Sequence, residues 1–143
     1  MRRRGGRARA GTASALVVGL PVALVLGGCG AGVERQEAAA TADAFATDVA
    51  TDPAAACALL APRTLESVEQ DGHRCVQALP DADLPGPGER GTVSVAGHSA
   101  QVRYAQETVF LSLFDDGWRV TAAGCSRTST DPSVPYDCTV EGD

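Results

Sequence analysis

Lysine is missing altogether, and all 12 basic residues are arginine. Aromatic residues make up only 4% of the chain, so a core has to use the few rings there are. The apolar run near the N-terminus, Ala13 to Leu26, is 14 residues long, short of the ~20 that a membrane-spanning helix needs. Only two histidines occur, His73 and His98, and no Cys-x-x-Cys pair, so no metal-ligand spacing is present. A phosphate loop and a nucleic-acid platform are absent as well. No metal, cofactor or nucleic acid is expected.

What is present begins with a leader. Arg2, Arg3, Arg4, Arg7 and Arg9 form a positive head, and the short apolar run follows. Small residues and a cysteine close it: Leu26-Gly27-Gly28-Cys29. Head, core and small-residue cleavage site in that order make a secretory signal over residues 1–28. The closing tetrad resembles a bacterial lipobox, with Gly27 a looser match where Ala or Ser is usual. That resemblance implies cleavage before Cys29 and a diacylglycerol on its thiol, often with a palmitate-type chain on the new amine. One acyl chain binds a bilayer only marginally, whereas two or more hold durably. The expected location is the extracytoplasmic face of the cell membrane.

Past the leader, 115 residues suffice for one domain with a modest core. Seven arginines face eighteen acidic residues there, a net charge of −11. Such a polyanion repels nucleic acid and anionic lipid heads, so acyl chains rather than a basic patch must hold it at a membrane.

Residues 29–32 read as a lipidated, flexible tether. From 33 to 51 the composition favours helix, with Ala38, Ala42, Phe45 and Val49 on one stripe. Asp52-Pro53 is an N-cap followed by Pro at the first helical position, opening a helix to Leu60. Thr64 to Gln70 and Arg74 to Leu79 read as two shorter helices. Prolines and glycines from Asp81 to Gly91 argue against regular structure.

The period then changes to alternation. Val93 and Val95 share one face; Gly97-His98 suits a type II′ hairpin loop; Ala100, Val102 and Tyr104 share a face on the return strand. Thr108 to Phe114 is apolar on both faces, as in a central strand covered on both sides along part of its length. Asp116-Gly117 signals another hairpin, after which Trp118, Val120 and Ala122 should face inward. Helices followed by about four antiparallel strands give an α+β domain over residues 33–143, its helices packed on one face of a curved sheet.

The stretch Asp116-Gly117-Trp118-Arg119-Val120, with the placement of the cysteines, resembles uncharacterised actinobacterial lipoproteins with an NTF2-like, cystatin-like cone. Enzymes, carriers and adaptors all use that fold, so the likeness does not choose among them.

With Cys29 lipidated, four cysteines are left, and an even number in an exported chain implies bridges. Of three connectivities, the reading adopted is Cys57–Cys75 and Cys125–Cys138. The first ties the second helix to the last short one; the second folds the tail, residues 126–137, into a loop.

No catalytic residues stand out. Gly97-His98-Ser99-Ala100-Gln101 has Gln101 where a nucleophile elbow closes on glycine, and it lies between strands. Asp115-Asp116 and the Asp81/Asp83 pair sit in turns, which suit aspartate. A site, if present, belongs in the cleft between helices and sheet, with Tyr104, Phe110, Phe114 and Trp118 as lining; the alternative is that these rings are core. The expectation is a non-enzymatic binding or interaction module for a small ligand or protein partner. A small NTF2-like enzyme, which would need a carboxylate in the cleft, and a structural envelope protein are the other two readings.

Overall fold

The computed structural model describes residues 30–142; the expected leader and the expected lipidation of Cys29 lie outside them. The chain forms α1 (Gly30–Thr51), α2 (Pro53–Ala58), α3 (Pro62–Val68) and α4 (Cys75–Ala78). The strands β1 (Arg90–Ala96), β2 (Ser99–Tyr104), β3 (Thr108–Phe114), β4 (Gly117–Cys125) and β5 (Val140–Glu141) follow. The fold is α+β, with an antiparallel sheet in the order β1-β2-β3-β4-β5. Among the described residues no helix is long and apolar enough to cross a membrane.

Helix α1 touches β1 through β4. It lays Ala38, Ala42 and Phe45 against Ala100, Val102, Val109, Leu111, Trp118 and Val120. Alanine at two of these three positions lets the helix backbone come close to the sheet, and Phe45 supplies the bulk. The stripe is the expected one, but the helix starts earlier: Gly30-Ala31-Gly32, expected as a free tether, forms its first turn. Two glycines there disfavour helix by about 1 kcal/mol each, so this turn depends on the alanine-rich body that continues it.

Asp52 caps α2, accepting from the Ala55 N–H at 3.2 Å, and Pro53 follows. The helix ends at Ala58 rather than Leu60, because the next residues join the sheet. Leu59 and Ala61 exchange hydrogen bonds with Val120 at 2.9 and 2.8 Å, and Leu60 forms a parallel bridge to Val120. Arg119 braces that junction, donating from Nη1 to the Ala58 carbonyl at 2.6 Å while its guanidinium also clasps Asp116. Helix α3 runs from Pro62 to Val68, and 3₁₀ turns at Gln70–Gly72 and Pro80–Ala82 flank α4. The second of these turns falls in the stretch expected to be irregular.

Ala96 pairs with Ser99, leaving Gly97-His98 as a two-residue loop. Gly97 has φ +58° and His98 has no positive φ, the pattern of a type II′ turn. The next hairpin differs from expectation by one residue. Phe114 pairs with Gly117, so Asp115-Asp116 occupies the loop and Gly117, at φ +117°, takes the position after it. Glycine takes such a positive φ without the steric cost a side chain would carry.

Strand β4 carries the main correction to the inward set. Leu111 pairs with Val120, Phe110 with Ala122, and Thr108 with Cys125. Two extra residues therefore enter β4, the first at Thr121. Each bulge shifts the alternation by one. Ala122 consequently turns to the outer face opposite Phe110, and fully buried Ala123 takes the core position. A fifth strand, absent from the expected four, pairs Val140 and Glu141 with Ala123 and Ala122.

Disulfides join Cys57 to Cys75 and Cys125 to Cys138. They close loops of 18 and 13 residues, each contributing about 3 kcal/mol on the chain-entropy model.

Candidate functional site

The second bulge in β4 builds the site. Gly124 has φ +65°, and a side chain there would meet Thr139 and Leu84 at 2.8 Å, so only glycine fits. The bulge releases the Gly124 N–H from the strand ladder and aims it at Glu107 Oε2, at 2.7 Å. Glu107 stands between β2 and β3, where its carbonyl accepts from the Tyr104 N–H at 2.8 Å. It is only 7% exposed. Burial pushes its carboxyl above the ordinary glutamate range, opposed by the Gly124 hydrogen bond. Oε1 has no hydrogen-bond partner among the described residues. Glu107 thus carries a largely buried carboxyl group held by Gly124 at one oxygen, with the other left to solvent.

Around it lies an open concavity of about 400 Å³, flanked by Arg103, Tyr104, Arg127 and Tyr136. Tyr136 reaches it from the tail. Asp131-Pro132 turns that tail, Asp131 accepting from the Ser133 N–H at 2.9 Å, and Ser126 pairs with Asp137 just inside the Cys125–Cys138 bridge. The tail loop is thereby pinned over the outer face of the sheet. Tyr136 packs edge-on to Phe110, ring centres 5.0 Å apart, and its phenol oxygen accepts from Gln101 Nε2 at 2.9 Å and Arg103 Nη2 at 3.4 Å. The Arg127 guanidinium lies 4.5 Å above its ring. Burial pushes the phenol up, but hydrogen bonds from Arg127 and Gln101 and the charges of Arg103 and Arg127 carry it below the usual tyrosine range.

The arginines differ in their company. Arg90 holds Asp43 at 2.6 Å and Arg119 holds Asp116. Neither Arg103 nor Arg127 has a carboxylate at salt-bridge distance among the described residues.

The four aromatics expected to line one cleft are dispersed. Tyr104 borders the concavity, while its hydroxyl donates to Asp43 at 2.7 Å. Phe110 lies on the outer face beneath Tyr136, and Phe114 is 40% exposed at the hairpin end. Trp118 belongs to the core, its Nε1 buried without a partner among the described residues. The cause is alternation: Phe110 and Phe114 point away from the face that α1 covers, whereas Trp118 points toward it.

His73 and His98 are both exposed. Among the described residues no group of acidic, cysteine and histidine side chains is arranged to hold a metal. Sequence reasoning missed Glu107, Arg127 and Tyr136 as site residues. Glu107, a lone acid at the entry to a strand apolar on both faces, is the one signal that could have been used. No protein-family model, no characterised protein and no solved structure matches this chain.

Proposed function

We propose that the chain is a lipid-anchored extracytoplasmic module, held to the membrane through Cys29, that binds a small ligand in the Glu107 concavity without transforming it. Glu107 carries this reading. Burying most of an acid opposes folding, and the Gly124 N–H that it accepts from needs an acceptor but not a charge. Perturbed acids cluster at functional sites, and this one lines a surface concavity. Two bridges that suit an oxidising compartment, together with the lipobox, support export and anchoring. One long helix laid across a meander supports the NTF2-like reading of the fold.

Two measurements test the proposal. Mass analysis of membrane-extracted protein should find residues 1–28 removed and Cys29 acylated, and Cys29→Ser should release the protein from membranes. A leader still attached, or an unacylated terminus, would end the anchoring claim. In an NMR titration with the small-molecule fraction of an envelope extract, the Gly124 amide should shift; a static Gly124 would end the binding claim.

A second reading has one observation in its favour. A buried carboxyl with a raised pKa also suits a general base, as a small NTF2-like enzyme would require. Glu107 would then take a proton from a carbon acid and return it, so exchange of that proton in D₂O would separate an enzyme from a binder.

A further inference from the structure

We infer that the ligand is a small zwitterion of the amino-acid type. Its carboxylate sits between Arg103 and Arg127, and its ammonium group donates to Glu107. The inference rests on the binding reading above and names the ligand class for the same concavity.

Both signs of charge stand unanswered at one opening. Among the described residues Arg103 and Arg127 have no carboxylate at salt-bridge distance, unlike Arg90 and Arg119. Guanidinium groups recognise carboxylates through paired N–H donors in a fixed plane. Arg127 is already stacked over the Tyr136 ring and Arg103 already reaches the Tyr136 oxygen, so less rotamer freedom is lost when a ligand arrives. Glu107 offers the opposite sign, a mostly buried carboxyl whose Oε1 takes no hydrogen bond from the described residues.

A simple anion would satisfy the arginines and set a second acid against Glu107. A simple cation would satisfy Glu107 and meet two guanidinium groups. A molecule carrying both charges a few bonds apart answers each group in its own currency of charge. Size agrees, since about 400 Å³ is at the low end of the roughly 300–1,000 Å³ of small-molecule sites. The opening also lies on an outer face, within reach of solutes outside the membrane under the anchoring reading.

The test titrates the full-length chain with L-alanine, L-glutamate and L-phenylalanine, each also as its N-acetyl and its carboxamide derivative, following the Gly124 amide by NMR. At least one free amino acid should shift Gly124, with both capped forms at least about 10-fold weaker, a change of about 1.4 kcal/mol. Glu107→Gln and Arg127→Gln should each weaken binding by a similar factor with unchanged circular dichroism, and Arg74→Gln, away from the concavity, should leave it unaltered. An N-acetyl form binding as tightly as the free amino acid would make this an anion site; an equally tight carboxamide would make it a cation site. Either overturns the inference. If no free amino acid binds while the envelope extract still shifts Gly124, the zwitterion is wrong and the binding reading stands. If the extract also fails, both fall.

Discussion

Thr64 Oγ1 donates a hydrogen bond to the carbonyl oxygen of Thr121 at 3.0 Å. Thr121 is the first bulge residue of β4, and Thr64, 1% exposed, lies on α3. The Gly142 N–H donates to the same carbonyl at 3.2 Å. The bulge thus exposes an acceptor that a helix and the chain's end both satisfy.

Thr64→Val keeps the shape and removes the donor. The loss should be about 1 kcal/mol, because Gly142 still serves the carbonyl, and urea unfolding measures it. Gly142→Ala should act on the same junction through contact, since a Cβ there would lie 2.7 Å from the Thr64 amide nitrogen. Overpacking of this kind costs about 1–3 kcal/mol.

The Tyr104–Asp43 hydrogen bond fastens α1 to β2. Burial first, then that bond, raises the Tyr104 phenol above the ordinary tyrosine value. A raised folded pKa favours the neutral phenol, so the contribution is complete below the unfolded value of about 10 and declines as pH rises above it. Tyr104→Phe should cost about 1 kcal/mol at neutral pH and show a shallower alkaline decline in melting temperature. Equal alkaline slopes would refute the assignment.

Glu107 has the same sign, being like the phenol an acid that is neutral when protonated. Its raised folded pKa means that the protonated form favours folding, fully so below the ordinary glutamate range, with stability lost as pH rises through the folded value. Glu107→Gln keeps an acceptor for Gly124 and removes the charge, so it should be more stable than wild type at pH 7 and nearly equal in acid. Glu107→Ala leaves the Gly124 N–H without its partner, which costs about 1–3 kcal/mol. A wild type more stable than Glu107→Gln at pH 7 would contradict the buried-acid account.

Replacing either cysteine pair by serine should cost about 3 kcal/mol, but the consequences should separate. Loss of Cys57–Cys75 loosens the link between α2 and α4 and leaves the concavity standing. Loss of Cys125–Cys138 also frees the loop that carries Tyr136, so the Phe110 and Tyr136 ring contacts should disappear from NMR spectra.

Sequence periodicity determined the elements themselves. The apolar stripe Ala38, Ala42, Phe45 is a local repeat, and it selected the buried face of α1. Alternation determined β1 and β2 for the same reason, since neighbouring side chains on a strand must point opposite ways, and a run apolar on both faces marked β3. The proline after Asp52 and the glycine at 97 determined a cap and a turn through their own backbone limits. Charge and the cysteine count likewise needed no fold to be read.

Tertiary structure decided whatever depends on partners distant in the chain. A bulge is a mismatch between two strands, so β4 alone gave no sign that Ala122 would turn outward and Ala123 inward. Val140-Glu141 is too short to announce a strand and becomes one only where β4 leaves an edge unpaired. The site came from the same source. Glu107, Gly124 and Tyr136 meet because a frame shift frees one N–H and a disulfide-closed tail returns over the sheet, and neither event is local to any of the three residues.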